Sequence, residues 1–438
     1  MIPEQTTYFN SKIKSDYWEL STSGQTISSW FLDVAHPLRF EKLSQNISVD
    51  VAIVGGGIAG LTTAYLLSNS GKSIAILEDG YIGSGETGRT TAHITHALDD
   101  RYYNIEKKHG PKSARLAAES HTAAIDFIEN TVMMEGIDCS FSMLNGYLFL
   151  DSTDKKLSLD KELDALRNAG ISTANMQYES PLKSTDISPC ICFQNQAQFQ
   201  PMLYLMGLAK TMSTHKEAKI FTETHAQSIS NKNSENVINT DSGYNVTAQS
   251  IVLATNAPIV DTVSKIYDKQ IAYRTYVIAA EVEKNSIPLA LYWDTGNQKS
   301  KDHVKPYHYV RIQQTKNAKK DLLVVGGEDH KTGSINDKND FNTKFKKLET
   351  WMREIFFVKG PVVYSWSGQV LEPLDGLAFI GPNPGNDKNV YIATGDSGNG
   401  MTHGTIAGML LHDLILSKDN EWSELYDPNR KTEEKGDN

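Results

Sequence analysis

Cysteine is scarce in this sequence. Only Cys139, Cys190 and Cys192 occur in 438 residues. That is too few for a disulfide framework, and it fits a reducing compartment. Cys190 and Cys192 flank a single isoleucine, but no second Cys/His pair lies near them. They read as ordinary thiols, and no metal site is expected. Long apolar runs are missing as well. No stretch approaches about 18 apolar residues, so no transmembrane helix is expected. The first residues, MIPEQTTYFNSKIKSDYWEL, are polar and lack an apolar signal core. A cytoplasmic, soluble protein is the expectation. Basic runs are absent too. The nearest, Lys316 to Lys320 (KNAKK), reads as a hairpin tip, and the net charge is −10, which argues against a nucleic-acid partner.

What is present is a core of ample size. At 39% hydrophobic residues the chain can build two domains rather than one. The stretch from Val49 to Glu78, VDVAIVGGGIAGLTTAYLLSNSGKSIAILE, organises it. Its first residues are β-branched and apolar, as in a buried strand. Gly55 then makes a tight turn, Gly57 lets backbone approach a pyrophosphate, and Gly60 lets the following helix pack closely. Ile58 and Ala59 open that helix, whose unpaired N–H groups and positive dipole end suit a diphosphate. Gly71 stops it, and a second strand ends on Glu78, 18 residues after Gly60, placed to accept from both hydroxyls of an adenosine ribose. Strand, loop, helix, strand and acid together make a dinucleotide-binding unit.

Residues 1–46 precede this unit. They are rich in aromatics (Tyr8, Phe9, Tyr17, Trp18, Trp30, Phe31, Phe40) and read as an extension packed over the main domain. After Glu78, the formal match Gly83-Ser-Gly85-Glu-Thr-Gly88 follows a loop and opens no amphipathic helix, so it reads as part of a flexible loop beside the ligand. Thr87, Thr90 and Thr91 could bind phosphate or a ring edge from there. Pro111 to Asn130 has helical spacing, with His121 on the buried stripe as a satisfied core histidine. Phe141 to Leu150 reads as a hairpin turning at Asn145-Gly146. Lys155 to Ala169 and Pro201 to Met212 read as helices. Ser250 to Thr255 is a buried strand. Tyr276 to Glu283, Leu289 to Asp294, Tyr307 to Gln313 and Leu322 to Gly326 form a β-rich, aromatic block, followed by a helix over Phe341 to Phe356. The chain then returns to strand Val390 to Thr394, the loop Gly395-Asp-Ser-Gly-Asn-Gly400, and an apolar helix from Met401 to Leu416. Pro428 onward reads as a frayed charged tail. This second strand–glycine loop–helix suits the far end of the same dinucleotide, where a helix start offers N–H groups and positive potential. No other complete βαβ site is evident.

Taken together, VDVAIVGGGIAG with Glu78, GRTTAHIT, SIVLATNAP, WSGQVLEPLDGLAFIG and YIATGDSGNGM resemble the D-amino-acid oxidase/glycine oxidase-like superfamily of FAD-dependent oxidoreductases. The likeness covers most of residues 47–418. It is nearest to bacterial members often fused to a C-terminal Rieske iron–sulfur domain. No Cys-x-His follows ELYDPNRKT, so that domain is expected to be absent here. The resemblance implies an α/β fold: a discontinuous Rossmann-like FAD-binding domain plus a mostly antiparallel β-sheet substrate domain. FAD-binding parts are expected at 47–110, 201–260 and 361–425, substrate parts at 111–200 and 261–360, and a charged tail at 426–438.

The resemblance further implies FAD as cofactor and oxidation of the C–N bond of an amine or amino acid, by hydride transfer to flavin N5 and imine hydrolysis. Gly55, Gly57, Ile58, Ala59, Gly60 and Glu78 match the adenosine-diphosphate site. Arg89, Thr90, Thr91 and Ala92 match the loop beside the diphosphate and ring. Ala226 falls at a usual backbone contact to adenine, and Thr255 closes the nearby strand. Gly395, Asp396, Ser397, Gly398, Asn399, Gly400 and Met401 match the loop at the flavin pyrimidine. His93 lies near the histidine linkage of dimethylglycine-type dehydrogenases, one residue out of step. Amino-acid oxidases grip the substrate carboxylate with an arginine. Val370 and Leu371 fill one region where a relative has it, leaving Arg311 as the candidate. Tyr276, Trp293, His308, Tyr309, Arg311 and His330 are the expected pocket, where aromatic rings can box an amine or cation. An alternative is a flavoprotein that passes electrons to a separate iron–sulfur protein and turns over few free small molecules.

Overall fold

Two sheets carry the molecule, and the chain passes repeatedly between them. The computed structural model describes residues 20–432 except 25, 35, 233–234, 259–264, 303–304, 335–337 and 386–387. The first sheet is built on the strand Ile47–Val54. Parallel neighbours flank it on both sides, Asn245–Leu253 and Ile74–Leu77, which is why its β-branched residues are buried on both faces. Across the sheet the order is Phe379–Pro382, Val390–Thr394, Asn245–Leu253, Ile47–Val54, Ile74–Leu77, Ala218–Phe221. Only the outermost Phe379–Pro382 runs antiparallel in this series. An antiparallel hairpin, Ala226–Lys232 with Glu235–Thr240, runs on into Asn245–Leu253.

Helix Ile58–Asn69 leaves the first strand and packs along the C-terminal helix Gly400–Ile415. A Cβ on Gly404 would stand 2.5 Å from Ile58 Cγ2, and one on Gly408 2.4 Å from Thr62 Cγ2. Two glycines four residues apart on one helix face thus let the helices touch. Because Ile58 meets Gly404 and Thr62 meets Gly408, the helices run the same way. Their N-termini, remote in sequence, end up side by side.

The second sheet has the order Val362–Pro373, Gln270–Glu283, Lys320–Lys331, Tyr309–Gln313, Leu291–Asp294, Ser142–Phe149, Cys190–Gln198, His93–Ile94. It is antiparallel except where Leu291–Asp294 meets Ser142–Phe149. Side chains alternate across it. In Gln270–Glu283, Tyr276, Ile278, Ala280 and Val282 share a core with Leu348, Met352 and Phe356 of helix Lys338–Phe356. Thr275 and Val277 point the other way, toward a cavity between the sheets.

Several expectations change. Phe141–Leu150 is not a hairpin. Ser142–Phe149 is one strand, bulged between Leu144 and Gly146, because it pairs on both sides, with Cys190–Gln198 and Leu291–Asp294. The helix expected from Pro111 begins at Tyr102 and runs to Glu135, with a break at Gly110 (φ 83°) before the proline. The loop after Glu78 is tethered rather than flexible. Tyr81, Ile82, Gly88 and Arg89 are buried, and Trp30 Nε1 and Trp366 Nε1 donate to Thr90 O and Arg89 O at 2.6 and 2.7 Å. Trp30 and Phe31 of the N-terminal stretch are buried in the main core, whereas Tyr8, Phe9, Tyr17 and Trp18 lie outside the described residues.

The tail does not fray at Pro428. Arg430 meets both Asp375 oxygens at 2.7 and 2.9 Å, donates to Ala378 O at 2.7 Å, and stacks 4.0 Å over Phe379. Burial pushes the Asp375 carboxyl up, but the Arg430 bond and charge outweigh this and hold it below the usual range. Arg430→Met should therefore cost about 3 kcal/mol, because it strands a buried carboxylate; a urea unfolding midpoint measures it.

Candidate active site

A cavity of about 470 Å³ opens at the carboxyl ends of the parallel strands, where Val54, Leu77, Ala254 and Thr394 line it. Its floor is the first glycine loop. Gly55 (φ 112°) turns the chain, and a Cβ there would lie 2.3 Å from Ala254 O. A Cβ on Gly60 would lie 2.0 Å from Gly55 O, so helix and loop touch backbone to backbone. A Cβ on Gly57 would meet only Thr87 Oγ1, at 3.0 Å. The rest of its surroundings is cavity. Bare backbone at a helix N-terminus, open on one side and closed by glycine-only contacts on the other, fits a diphosphate.

Glu78 is buried, and burial raises its carboxyl pKa. Its Oε2 accepts from Gly56 N at 2.7 Å, and its Oε1 from Gly80 N at 2.8 Å and Ser84 Oγ at 2.9 Å. Of roughly four acceptor positions on a carboxylate, one remains. The expected grip on both ribose hydroxyls thus shrinks to one, and the acid chiefly shapes the loop. Ala226 and Thr255 line the same end of the cavity, with Ile58 and Ala59.

Arg89, Thr90, Thr91 and His93 also line it. The Arg89 guanidinium, however, faces the N-terminal segment. It donates to Ser21 Oγ, Gly24 O, Thr26 O and Thr26 Oγ1 at 2.8–2.9 Å, which brings Thr22 and Ser23 into the cavity wall. Ala92 (φ 57°) is fully buried outside the lining. His93 has both nitrogens engaged. Val310 O can only accept, so Nε2 donates to it at 3.3 Å, and Nδ1 accepts from Thr91 Oγ1 at 3.0 Å. Burial, then the Arg311 charge, push this imidazole down to about 3, so it is neutral.

The C-terminal loop closes the opposite side. Asp396, Gly398, Asn399, Gly400 and Met401 line the cavity. Gly395 and Ser397 lie behind it. Ser397 Oγ sits 2.5 Å from Asp100 Oδ2 and 2.9 Å from Glu372 Oε2. One hydroxyl proton cannot serve both, and burial pushes Asp100 up to about 6 and Glu372 well above the carboxylate range, so one of the two carboxyls keeps its proton. Burial likewise raises Asp396 to about 7. His403 Nδ1 donates to Asp396 O at 2.7 Å, and its Nε2 lies 3.2 Å from His121 Nε2. His121 is the satisfied core histidine that its helical stripe implied.

The remaining wall is the second sheet, and its alternation sorts the expected pocket. Trp293 and Tyr309 line the cavity. Tyr276, His308 and His330 do not; they lie on the other face of the sheet. Tyr276 stacks on His330 (5.7 Å) and meets Phe345, while His308 stacks on Trp351 (4.0 Å) and pairs with Asp294 at 2.7 Å. Burial would lower His308, but Asp294 and Glu328 outweigh it and raise it to about 9. Arg311 shares the face of Tyr309 but lies beyond the cavity, beneath Trp30. It donates to Thr91 O, Ala92 O and Phe199 O at 2.9–3.1 Å.

Their odd-numbered neighbours take the places of the displaced residues: Thr275, Tyr307 and Asp329, joined by Asp99 and Glu372. Period-2 spacing gives Tyr307 once Tyr309 is placed inward, and the pairing of Tyr309 with Gly326 and of Gly326 with Val277 carries Thr275 to the same face; at Asp329 a bulge with positive φ at Gly327 and Glu328 reverses the alternation, which no spacing announces. Nothing in the sequence pointed to Asp99, which arrives from the loop after His93–Ile94. Tyr307 donates to Asp99 Oδ2 at 2.5 Å, and Tyr309 and Thr275 share a hydrogen bond, also 2.5 Å.

A family model described as FAD dependent oxidoreductase matches residues 50–414. The protein YhfW of Bacillus subtilis (strain 168), which bears the name of a Rieske 2Fe-2S iron-sulfur protein, is 28% identical over 97% of this chain and 77% of its own length. Gamma-glutamylputrescine oxidoreductase of Escherichia coli (strain K12) is 25% identical over 86% of this chain and 85% of its own. Among solved structures, glycine oxidase from Geobacillus kaustophilus superposes with a TM-score of 0.71 at 17% identity, covering 88% of this chain and all of that one, a likeness of fold.

Proposed function

The chain belongs to the family of FAD-dependent oxidoreductases, and we propose that it oxidises the C–N bond of an amine or amino acid inside the cavity between the two sheets. One observation carries this reading. The cavity is continuous from the first glycine loop, past the C-terminal loop, to the aromatic wall of the second sheet. When bound, FAD supplies the hydride acceptor, and the substrate imine is then hydrolysed by water.

The roles of the chain follow from position. Gly55, Gly57 and the start of helix Ile58–Asn69 would hold the diphosphate, and Glu78 keeps one acceptor for the ribose. Asp396 to Met401, at the start of the C-terminal helix, would hold the far ring, toward which the helix N-terminus directs N–H groups and positive potential. Trp293, Tyr307 and Tyr309 exclude water and orient the substrate. Oxidation needs a neutral amine, and ionised Asp99, pushed up to about 6 by burial, accepts its proton near neutral pH.

The test is anaerobic addition of amines, amino acids, N-methyl amines and polyamines to the FAD-loaded protein. At least one class should bleach the visible flavin band. A band unchanged across the whole panel rules this reading out.

A second reading gives the electrons to a separate iron–sulfur protein; the Rieske name of the Bacillus subtilis relative supports it. Substrate-reduced protein should then reduce an added ferredoxin faster than it consumes oxygen. Among the described residues no helix is long and apolar enough to cross a membrane.

A further inference from the structure

We propose that the substrate carries a second cationic group remote from the oxidised carbon, a diamine or polyamine rather than an α-amino acid, and that Asp329 with Tyr307 and Tyr309 seats that second cation. This rests on the amine-oxidising reading above and narrows it.

The charge of the cavity is lopsided. Seven carboxyl residues line it, Glu78, Asp79, Glu86, Asp99, Asp329, Glu372 and Asp396, against one cationic side chain, Arg89. Arg89 turns both terminal nitrogens to the N-terminal segment, and Arg311 lies outside the lining with its Nη1 on three backbone carbonyls. Neither guanidinium is placed to pair with a substrate carboxylate, and a carboxylate brought beside ionised Asp99 and Asp329 would be repelled.

The acids serve different ends. Glu78 and Asp79 belong to the nucleotide end; Glu372 and Asp396 sit at the C-terminal loop. Asp329 is on the second sheet, beside the aromatic rings. Its side chain lines the cavity beside the Thr275 hydroxyl and forms no salt bridge with a cation among the described residues. A carboxylate held in a buried wall without a counter-ion is costly, and an ammonium in the cavity lowers that cost. Next to it, Tyr309 is tied to Thr275, its ring 5.4 Å from that of Tyr307, and Tyr307 is tied to Asp99. Two fixed π-faces between two carboxylates form a seat for a compact, desolvated cation.

The decisive probes share one carbon chain and differ at its end: 1,4-diaminobutane, 1-aminobutane and 4-aminobutanoate. Anaerobic stopped-flow reduction of the FAD-loaded full chain should rank them in that order, with the diamine at least about 30-fold ahead of 1-aminobutane in second-order rate. Asp329→Asn, an isosteric change, should lower the diamine-to-monoamine ratio about 30-fold, roughly 2 kcal/mol. Asp329→Glu should recover part of it, and Tyr309→Phe, which keeps the ring, should retain most. Equal rates for diamine and monoamine, or a ratio untouched by Asp329→Asn, overturn the second cation. So does bleaching by an α-amino acid when all three probes fail, which leaves the amine-oxidising reading standing. Failure of the whole wider panel removes both.

Discussion

Arg311→Met should destabilise the protein by about 3 kcal/mol or more while leaving the substrate's KM nearly unchanged in whatever folded enzyme is recovered. The guanidinium is 3% exposed and pairs with no carboxylate. It is held by Thr91 O, Ala92 O and Phe199 O and lies 5.0 Å from the Trp30 ring centre. Burial alone pushes it down to about 9, so it stays charged at neutral pH. Methionine fills similar volume but donates nothing, so three buried carbonyls lose their partner at about 1–3 kcal/mol each, partly offset by no longer burying a charge. All three bonds come from Nη1, and a lysine ammonium has three donors of its own, so Arg311→Lys should recover part of the loss, limited by its different reach and by losing the guanidinium's stacking on Trp30. Denaturant midpoints and KM separate the two roles. A residue that grips substrate would raise KM and spare stability.

Gly60→Ala and Gly57→Ala should fail differently although they stand three residues apart. At Gly60 the new methyl would lie 2.0 Å from Gly55 O, a backbone atom that cannot rotate away. Helix and loop must separate, and overpacking of this kind costs about 3 kcal/mol. Gly60→Ala should therefore lower the unfolding midpoint of the FAD-free protein and yield colourless material. At Gly57 the methyl meets only Thr87 Oγ1, at 3.0 Å, a side chain that can move. The FAD-free protein should keep its stability, while the methyl enters the space of the diphosphate and weakens FAD binding about 100-fold, read by flavin fluorescence titration. Equal loss of stability in both variants would mean that the loop is not shaped around a ligand.

The contrast between these predictions tracks what was legible. The glycine loops could be read because they demand a residue type: no other side chain fits at Gly55 or Gly60. The paired helices could be read from apolar spacing. The aromatic wall is recognisable as a unit, and Trp293 and Tyr309 do line the cavity, but Tyr276, His308 and His330 are as aromatic or polar as the residues that line it. Alternation separates Tyr276 and His308, a bulge at Gly327 and Glu328 turns His330 away, and a segment buried on both sides masks both signals: Tyr276 looks outward onto a helix no less apolar than the cavity. Arg311 shows a different limit. Its chemistry suits a carboxylate, and only the three-dimensional course of Thr91, Ala92 and Phe199 reveals that its Nη1 is turned onto backbone, outside the cavity. Asn145-Gly146 carried strong turn chemistry that pairing with strands on both sides overrode.

The two adjoining helix starts have a consequence for biosynthesis. Ile58 emerges from the ribosome long before Gly404, yet each is the other's packing surface. A nascent chain can pair Ile47–Val54 with Ile74–Leu77 at once, but the far rim of the cradle does not exist until helix Gly400–Ile415 has been made. Cofactor capture thus waits on that helix, and polypeptides stalled before it should leave the ribosome without flavin.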